Sequence, residues 1–283
     1  MSLRLAIALA LSVAAVGATA APLPAAAPAS TASVAAKEPA WVTRSNAITS
    51  SLLRAQAKFS PEGASSAGMV EYDGLASDLG PGINERYVAA MQVELSRLKA
   101  LLATETDPQV RQDIQILVGS VEDDIEGTRL GDKYRLPWMD VPQMVFGNVQ
   151  GLLDAQLPAA RQAKALELLQ RYTGLYPGST PMTELAKARF TEKLSNPALL
   201  YPVKARVERS LNNVPTYIKG IRELFAKLDI QGAGPALDAM DKQLSDYAAW
   251  ERKAVLPKAR EDFRLPPELY AFRLKGIGID IDP

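Results

Sequence analysis

The chain contains no histidine and no cysteine. Without imidazole it lacks the commonest general base at neutral pH and the commonest zinc ligand. Without thiols it can build no disulfide, no thiolate nucleophile and no Cys-type zinc site. A Ser-His-Asp triad or an H-E-x-x-H helix therefore cannot be assembled from this sequence. A dominant sign of charge is missing too, since Lys plus Arg and Asp plus Glu number 32 each. Polyanion affinity rests on surplus cations, and no basic stripe here carries interleaved aromatics, so nucleic acid is not expected as a partner. Runs that alternate with period two are also lacking, which leaves no predicted strands.

What is present begins with an export signal. Arg4 supplies a short positive region, Leu5 to Val16 an apolar run too short to span a bilayer, and Ala18-Thr19-Ala20 an A-x-A cleavage pattern. Residues 1–20 are thus expected to be a signal peptide cut before Ala21, making the mature protein periplasmic or secreted with no membrane anchor. Residues 21–37 are an Ala/Pro/Ser linker with little to pack, expected to be disordered. The remainder, 38–283, is long enough to bury a sizeable core and is read as an all-helical domain.

Apolar spacing predicts an all-α fold of long, partly Pro-kinked antiparallel helices in a multi-helix array. Trp41, Ile48, Leu52, Ala55 and Phe59 share a first face that stops at Ser60-Pro61. Glycines 63, 68, 74, 80 and 82 mark a long loop over 61–82, a length often associated with function. Tyr87, Met91, Leu95, Leu98 and Leu102 predict a helix over 83–104. Asp107-Pro108 opens its antiparallel partner through Val110, Ile114, Leu117, Val121 and Ile125. Then comes Tyr134–Gln143, where Pro137 and Pro142 interrupt any continuous helix and Trp138 suggests a packed elbow.

Beyond the elbow, short helices follow. One carries Val145 to Leu153; another runs through Leu166, Leu169, Tyr172 and Leu175 to a stop at Tyr176-Pro177-Gly178; a third starts at Thr180-Pro181 and includes Leu185 and Ala188. Val203 to Leu228 holds one face over about seven turns, with Pro215 expected to kink it. The next helix carries Leu237, Met240, Leu244 and Tyr247, with a second kink at Pro257; the last runs from Leu265-Pro266-Pro267 through Tyr270 and Leu274. No repeat of constant length argues for a solenoid.

Chemistry-bearing motifs are few. Ser96 and Lys99 match S-x-x-K, but on the flank of an apolar stripe and without partner motifs. Glu122, Asp123, Asp124 and Glu126 could in principle hold a hard cation, although a charged outer face explains them as well. Gly276-x-Gly278 lacks the third glycine of a dinucleotide loop. At the elbow, Arg135, Trp138, Asp140 and Gln143 could line a substrate cleft, with Trp138 the more core-like and Arg135 and Gln143 the better recognition candidates.

Five segments taken in order resemble the bacterial domain-of-unknown-function 885 family. They are Ala40–Ala47 (AWVTRSNA), Arg111–Leu117 (RQDIQIL), Leu136-Pro137-Trp138, Arg171–Leu175 (RYTGL) and Asp262–Tyr270 (DFRLPPELY). The resemblance implies an exported, long-helix protein similar to zincin-type metallopeptidases. The family's metal and general-base residues lie in a His-Glu-x-x-Pro-Gly-His segment, and no position here can receive them. The implied role is therefore the N-terminal portion, truncated before the catalytic segment, forming one wall of a substrate channel and inactive alone. Arg135, Trp138, Gln143, Tyr176 and Tyr270 are the channel candidates. No catalytic residue, metal ligand or cofactor is assigned to this chain, zinc being expected only for the complete family domain. The partners implied are a peptide substrate or a missing C-terminal half. The competing expectation is a finished, non-catalytic helical module that binds a peptide or an envelope protein. An enzyme using only carboxylates, Lys or Tyr lacks a supporting constellation. A half-protein should expose a broad apolar face, and a finished module should not.

Overall fold

The computed structural model of the protein describes residues 38–279. The expected signal peptide at 1–20, the expected linker at 21–37 and residues 280–283, with the final Asp282-Pro283, lie outside the described residues.

Helix α1, Ala40–Ala57, buries Leu52 and packs Trp41, Ile48 and Ala55 against one apolar cluster, the face expected from spacing, and Phe59, just past the helix end, joins the same cluster. The 61–82 stretch departs from the single loop expected. Pro61–Ser66 is a short helix α2 with proline in its first turn, and Val70–Tyr72 is a 3-10 turn. A proline there signals a helix start as readily as a stop, because the first N–H groups of a helix have no intrahelical partner anyway.

Helices α3, Ile83–Thr104, and α4, Pro108–Tyr134, form the expected antiparallel hairpin. The Asp107 carboxylate caps α4 by accepting from the backbone N–H groups of Gln109 at 3.0 Å and Val110 at 3.4 Å. Val110, Ile114, Leu117, Val121 and Ile125 are all buried, each contributing about 1.5–3 kcal/mol relative to exposure. The acidic run on α4 disperses rather than converging. Glu122 pairs with Lys99, Asp123 with Lys275, and Asp124 turns inward to accept from the Tyr87 hydroxyl. The Ser96 hydroxyl donates to the Gln92 carbonyl of its own helix. Ser96 and Lys99 thus have separate partners.

Arg135–Asp140 is the elbow. Leu136, Trp138 and Met139 are buried, and the backbone pairs sideways: Leu136 N–H donates to Leu200 O and Leu200 N–H to Tyr134 O. The Trp138 indole N–H donates to Glu251 at 2.8 Å. Asp140 then caps helix α5, Val141–Leu152, where Pro142 falls harmlessly in the first turn.

A second, larger core gathers the elbow and α5 with the helices that follow. These are α6, Ala159–Gln162; α7, Lys164–Tyr172; α8, Met182–Glu192; α9, Lys204–Lys227; and α10, Gly234–Trp250. Helix α7 stops four residues sooner than Tyr176-Pro177 suggested. Gly174 takes a φ of +74°, and Leu175 N–H and Gly174 N–H return to the carbonyls of Gln170 and Arg171. That is the left-handed glycine stop for which side-chain-bearing residues are strained. Leu175 consequently lies outside the helical stripe, exposed.

The expected helix through Leu185 and Ala188 is α8; it buries Met182, Ala186 and Phe190, with Leu185 partly buried against the same core and Ala188 exposed. Helix α9 runs unbroken through Pro215 and buries Val207, Leu211, Val214, Ile221 and Phe225. Gly220 lets α5 come close: a β-carbon there would sit 2.9 Å from the Phe146 ring, which stacks on Tyr217. Helix α10 loses its α-helical pattern before Pro257, which falls in the first turn of a 3-10 segment. It widens into a π-turn at Glu251–Val255 and ends in a 3-10 turn at Leu256–Lys258.

Helix α11, Pro267–Lys275, returns to α4, its Phe272 ring lying 3.1 Å from where a β-carbon on Gly127 would be. Leu269, not Tyr270, is its buried residue. No strand occurs among the described residues, only two isolated bridges, Arg135 with Leu200 and Val203 with Arg260. Nor is any described helix long and apolar enough to cross a membrane.

Candidate functional site: a polar cleft beneath the 61–82 segment

A cleft of about 300 Å³ opens between α2 with its following loop and the α5–α7 region. Its polar wall is built by Glu62, Ser65, Asn148, Asp154 and Arg161, and Leu75, Leu152 and Leu168 supply apolar surface. Two bonded sets hold the wall.

The first set is a chain across elements. Asn148 Nδ2 donates to the Tyr172 hydroxyl at 2.8 Å, and that hydroxyl donates to Glu62 at 2.7 Å. Ser77 adds its backbone N–H at 2.8 Å and its hydroxyl at 2.5 Å to the same carboxylate. Burial first, then the Glu62 charge, pushes the Tyr172 hydroxyl well above its usual pKa, so it remains a donor. The second set is an ion pair at the rim. Arg161 grips Asp73 through Nε at 2.7 Å and Nη2 at 2.8 Å, and Ser65 donates to Asp73 at 2.5 Å. Burial would raise the Asp73 carboxyl, but the Arg161 and Ser65 hydrogen bonds outweigh it and hold the group below its ordinary value. The ion pair is therefore fully charged at neutral pH.

Carboxylates so placed can recognise polar groups but do not fit a zinc site. Glu62 and Asp73 already accept three hydrogen bonds each, and the Asp73 partners include a guanidinium that repels a cation. Among the described residues no three His, Cys, Asp or Glu side chains converge as metal ligands.

The five residues singled out from sequence do not line this cleft. Trp138 is in the core at 8 % exposure, with the Arg206 guanidinium 5.6 Å from its ring centre. Arg135 lies three residues away on the same elbow, half-buried. Gln143 is exposed in the first turn of α5, Tyr176 is covered by the Arg171 guanidinium at 3.7 Å, and Tyr270 faces solvent on α11. Arg135 and Trp138 share the elbow, and none of the five enters the cleft wall. Glu62 and Arg161 in the cleft wall, with Asp73 behind Arg161, escaped attention because they are 11 to 99 positions apart. The only sequence signal was the unusual length of the 61–82 segment.

The described residues form an all-α array with two apolar cores and, between α2 and the α5–α7 region, a polar cleft beside the Arg161–Asp73 ion pair. Its family follows from comparison: the model described as bacterial protein of unknown function (DUF885) matches residues 61–283. The chain belongs to that family. The matched stretch includes the cleft and the elbow, whereas Ala40–Ala47 on α1 precedes it. No curated protein and no solved structure matches the chain.

Proposed function

We propose that this chain is the substrate-lining scaffold of an exported metallopeptidase of zincin type, inactive by itself. In this reading the reacting metal and its His-Glu-x-x-Pro-Gly-His segment belong to a further portion of the protein, and the cleft contributes to the channel wall. The observation that carries it is apolar surface near the end of the described chain. Phe263, Tyr270, Ile277 and Ile279 are exposed by 76 %, 45 %, 62 % and 38 %. Four large apolar side chains within 17 residues are what a helical lobe presents where another lobe seats.

A second reading, a non-catalytic peptide-binding module of the cell envelope, draws on the cleft itself, whose donors and acceptors are fixed before any ligand arrives. Two measurements test the readings, and the second separates them. The purified mature chain, given a pool of fluorogenic peptides with added zinc, should show no turnover; chelator-sensitive hydrolysis would refute both. The DNA beyond codon 283 should encode His-Glu-x-x-Pro-Gly-His in one frame under the scaffold reading, and an unrelated gene there favours the module. Export is tested by N-terminal sequencing of the protein recovered outside the cytoplasm, which should begin at Ala21.

A further inference from the structure

The cleft beneath the 61–82 segment has more acceptors than its own donors fill. Three charged residues line it, Glu62, Asp154 and Arg161. Arg161 is bound to Asp73 through two nitrogens. The cations behind the wall have carboxylates too. Lys164 and Arg171 both pair with Glu167, whose side chain would lie 3.3 Å from a β-carbon on Gly74, and Arg54 pairs with Glu71 on the turn before Asp73. Glu62 and Asp154 stand apart from these pairs. Glu62 takes only the neutral donors of Ser77 and Tyr172, and the Asp154 carboxylate only the backbone N–H of Gln156 at 2.8 Å; neither is ion-paired with a described lysine or arginine.

Backbone and amide geometry add to the same sign. Ser65 and Ser66 are the last residues of α2, and Gly151 and Leu152 the last of α5, so both helices bring C-terminal carbonyls to the wall. The C-terminal end of a helix is its negative pole and favours cations. The Tyr172 hydroxyl donates to Glu62, so toward Asn148 its oxygen can only accept. That fixes the Asn148 amide with Nδ2 toward Tyr172 and leaves its carbonyl oxygen as an acceptor. A carboxylate offers about four acceptor positions, and three on Glu62 are filled. What such a wall lacks is a positive group that only donates. An ammonium is that group, with three N–H donors and no acceptor. The volume of about 300 Å³, at the small end for ligand clefts, and the apolar surface of Leu75, Leu152 and Leu168 suit a short aliphatic stem.

We propose that the cleft is a receptor for a primary ammonium group on a short apolar stem, the N-terminus of a peptide or a lysine side chain. Asn148 and Asp154 accept the ammonium at the end of α5, Glu62 supplies buried negative charge, and the three leucines cover the stem. The inference rests on the reading of the cleft as a ligand site, which the channel wall and the binding module share.

The test is calorimetric titration of the full chain at low ionic strength with three probes: leucyl-leucinamide, its N-acetyl derivative, and N-acetyl-lysinamide. Saturable one-to-one uptake of an ammonium probe is expected, the dipeptide amide if the source is a peptide N-terminus and acetyl-lysinamide if it is a side chain. The N-acetyl dipeptide amide should bind at least tenfold more weakly. Asp154→Asn should weaken uptake at least tenfold; the position is exposed, and asparagine keeps the oxygen that accepts from Gln156. Gly151→Leu should abolish uptake by filling the cleft, since nothing lies within 4 Å of its β position. Glu122→Gln, which removes a carboxylate paired with Lys99 on α4, should leave uptake unchanged. An acetylated dipeptide that binds as tightly as its amine, with both lost in Gly151→Leu, would overturn the ammonium assignment and keep the cleft as a ligand site. Uptake that survives Gly151→Leu would place the ligand outside the cleft and remove both. Uptake of no probe, or uptake indifferent to Asp154→Asn, would also overturn the proposal.

Discussion

Glu251 is wholly buried, with one carboxyl oxygen bonded to the Trp138 indole and the other, Oε2, without a hydrogen-bond partner. Burial and the neighbouring Asp140 charge raise its pKa to about 8, against opposition from the Trp138 bond and Arg252. Such a group holds its proton in the fold and releases it near 4.5 when unfolded. Its contribution is therefore fully present below pH 4.5 and lost progressively up to pH 8, by a few kcal/mol at most. Glu251→Gln, which retains an acceptor for Trp138, should leave the urea midpoint unchanged at pH 4 and raise it at pH 8. Equal differences at both pH values would mean that burial does not raise the Glu251 pKa in the fold. A second residue-level expectation concerns Arg161. Arg161→Ala strands the Asp73 carboxylate, whose side chain is only 2 % exposed, and should cost about 2–4 kcal/mol after allowing for the partly exposed arginine. Asp73→Asn combined with Arg161→Ala should recover part of that loss in chemical denaturation.

At the scale of elements, helix starts and apolar stripes were legible in the sequence. Asp107-Pro108 is a cap followed by proline, a signal local enough to be read directly, and Asp107→Ala should cost about 1 kcal/mol in unfolding free energy. The 83–104 helix and the α4 stripe were equally clear because their periodicity runs for several turns. What failed was decided by distant packing. Gly174 could be read as an ordinary loop glycine until its φ of +74° was seen. Which side of α8 is covered, Met182, Ala186 and Phe190 with Leu185 partly buried, is selected by the larger core rather than by local spacing. The π-turn at Glu251 follows no spacing rule; it re-aims the helix just where Glu251 meets Trp138. The cleft was the least legible part, since its polar chain joins Glu62, Asn148 and Tyr172 from three helices. Two glycines test the packing. Gly119 has open space at its β position, so Gly119→Ala should stabilise α4 by about 0.5–1 kcal/mol. Gly220→Ala meets the Phe146 ring at 2.9 Å, and its helix gain should be outweighed by about 1–3 kcal/mol of overpacking. Thermal melts of the pair should move in opposite directions.

For the molecule as a whole, the exposed stretch from Phe263 to Ile279 is the surface that bears on assembly. Phe263→Ser with Ile277→Ser should reduce binding of an apolar-surface dye and concentration-dependent association, with little change in melting temperature because neither side chain is buried. Dye binding that persists undiminished would place the sticky surface elsewhere and remove the main support for a missing lobe.

The α3–α4 hairpin meets the rest of the protein at three separated places. These are the elbow at 135–140, the 61–82 strap, whose Leu79 enters the larger core and whose Glu62 is held by Tyr172, and α11, which lays Phe272 against Gly127 and ties Glu268 to Lys133 and Lys275 to Asp123. A stool on three legs does not rock. Widening the mouth of the cleft would mean giving up the Tyr172–Glu62 bond or drawing Leu79 out of the core it enters.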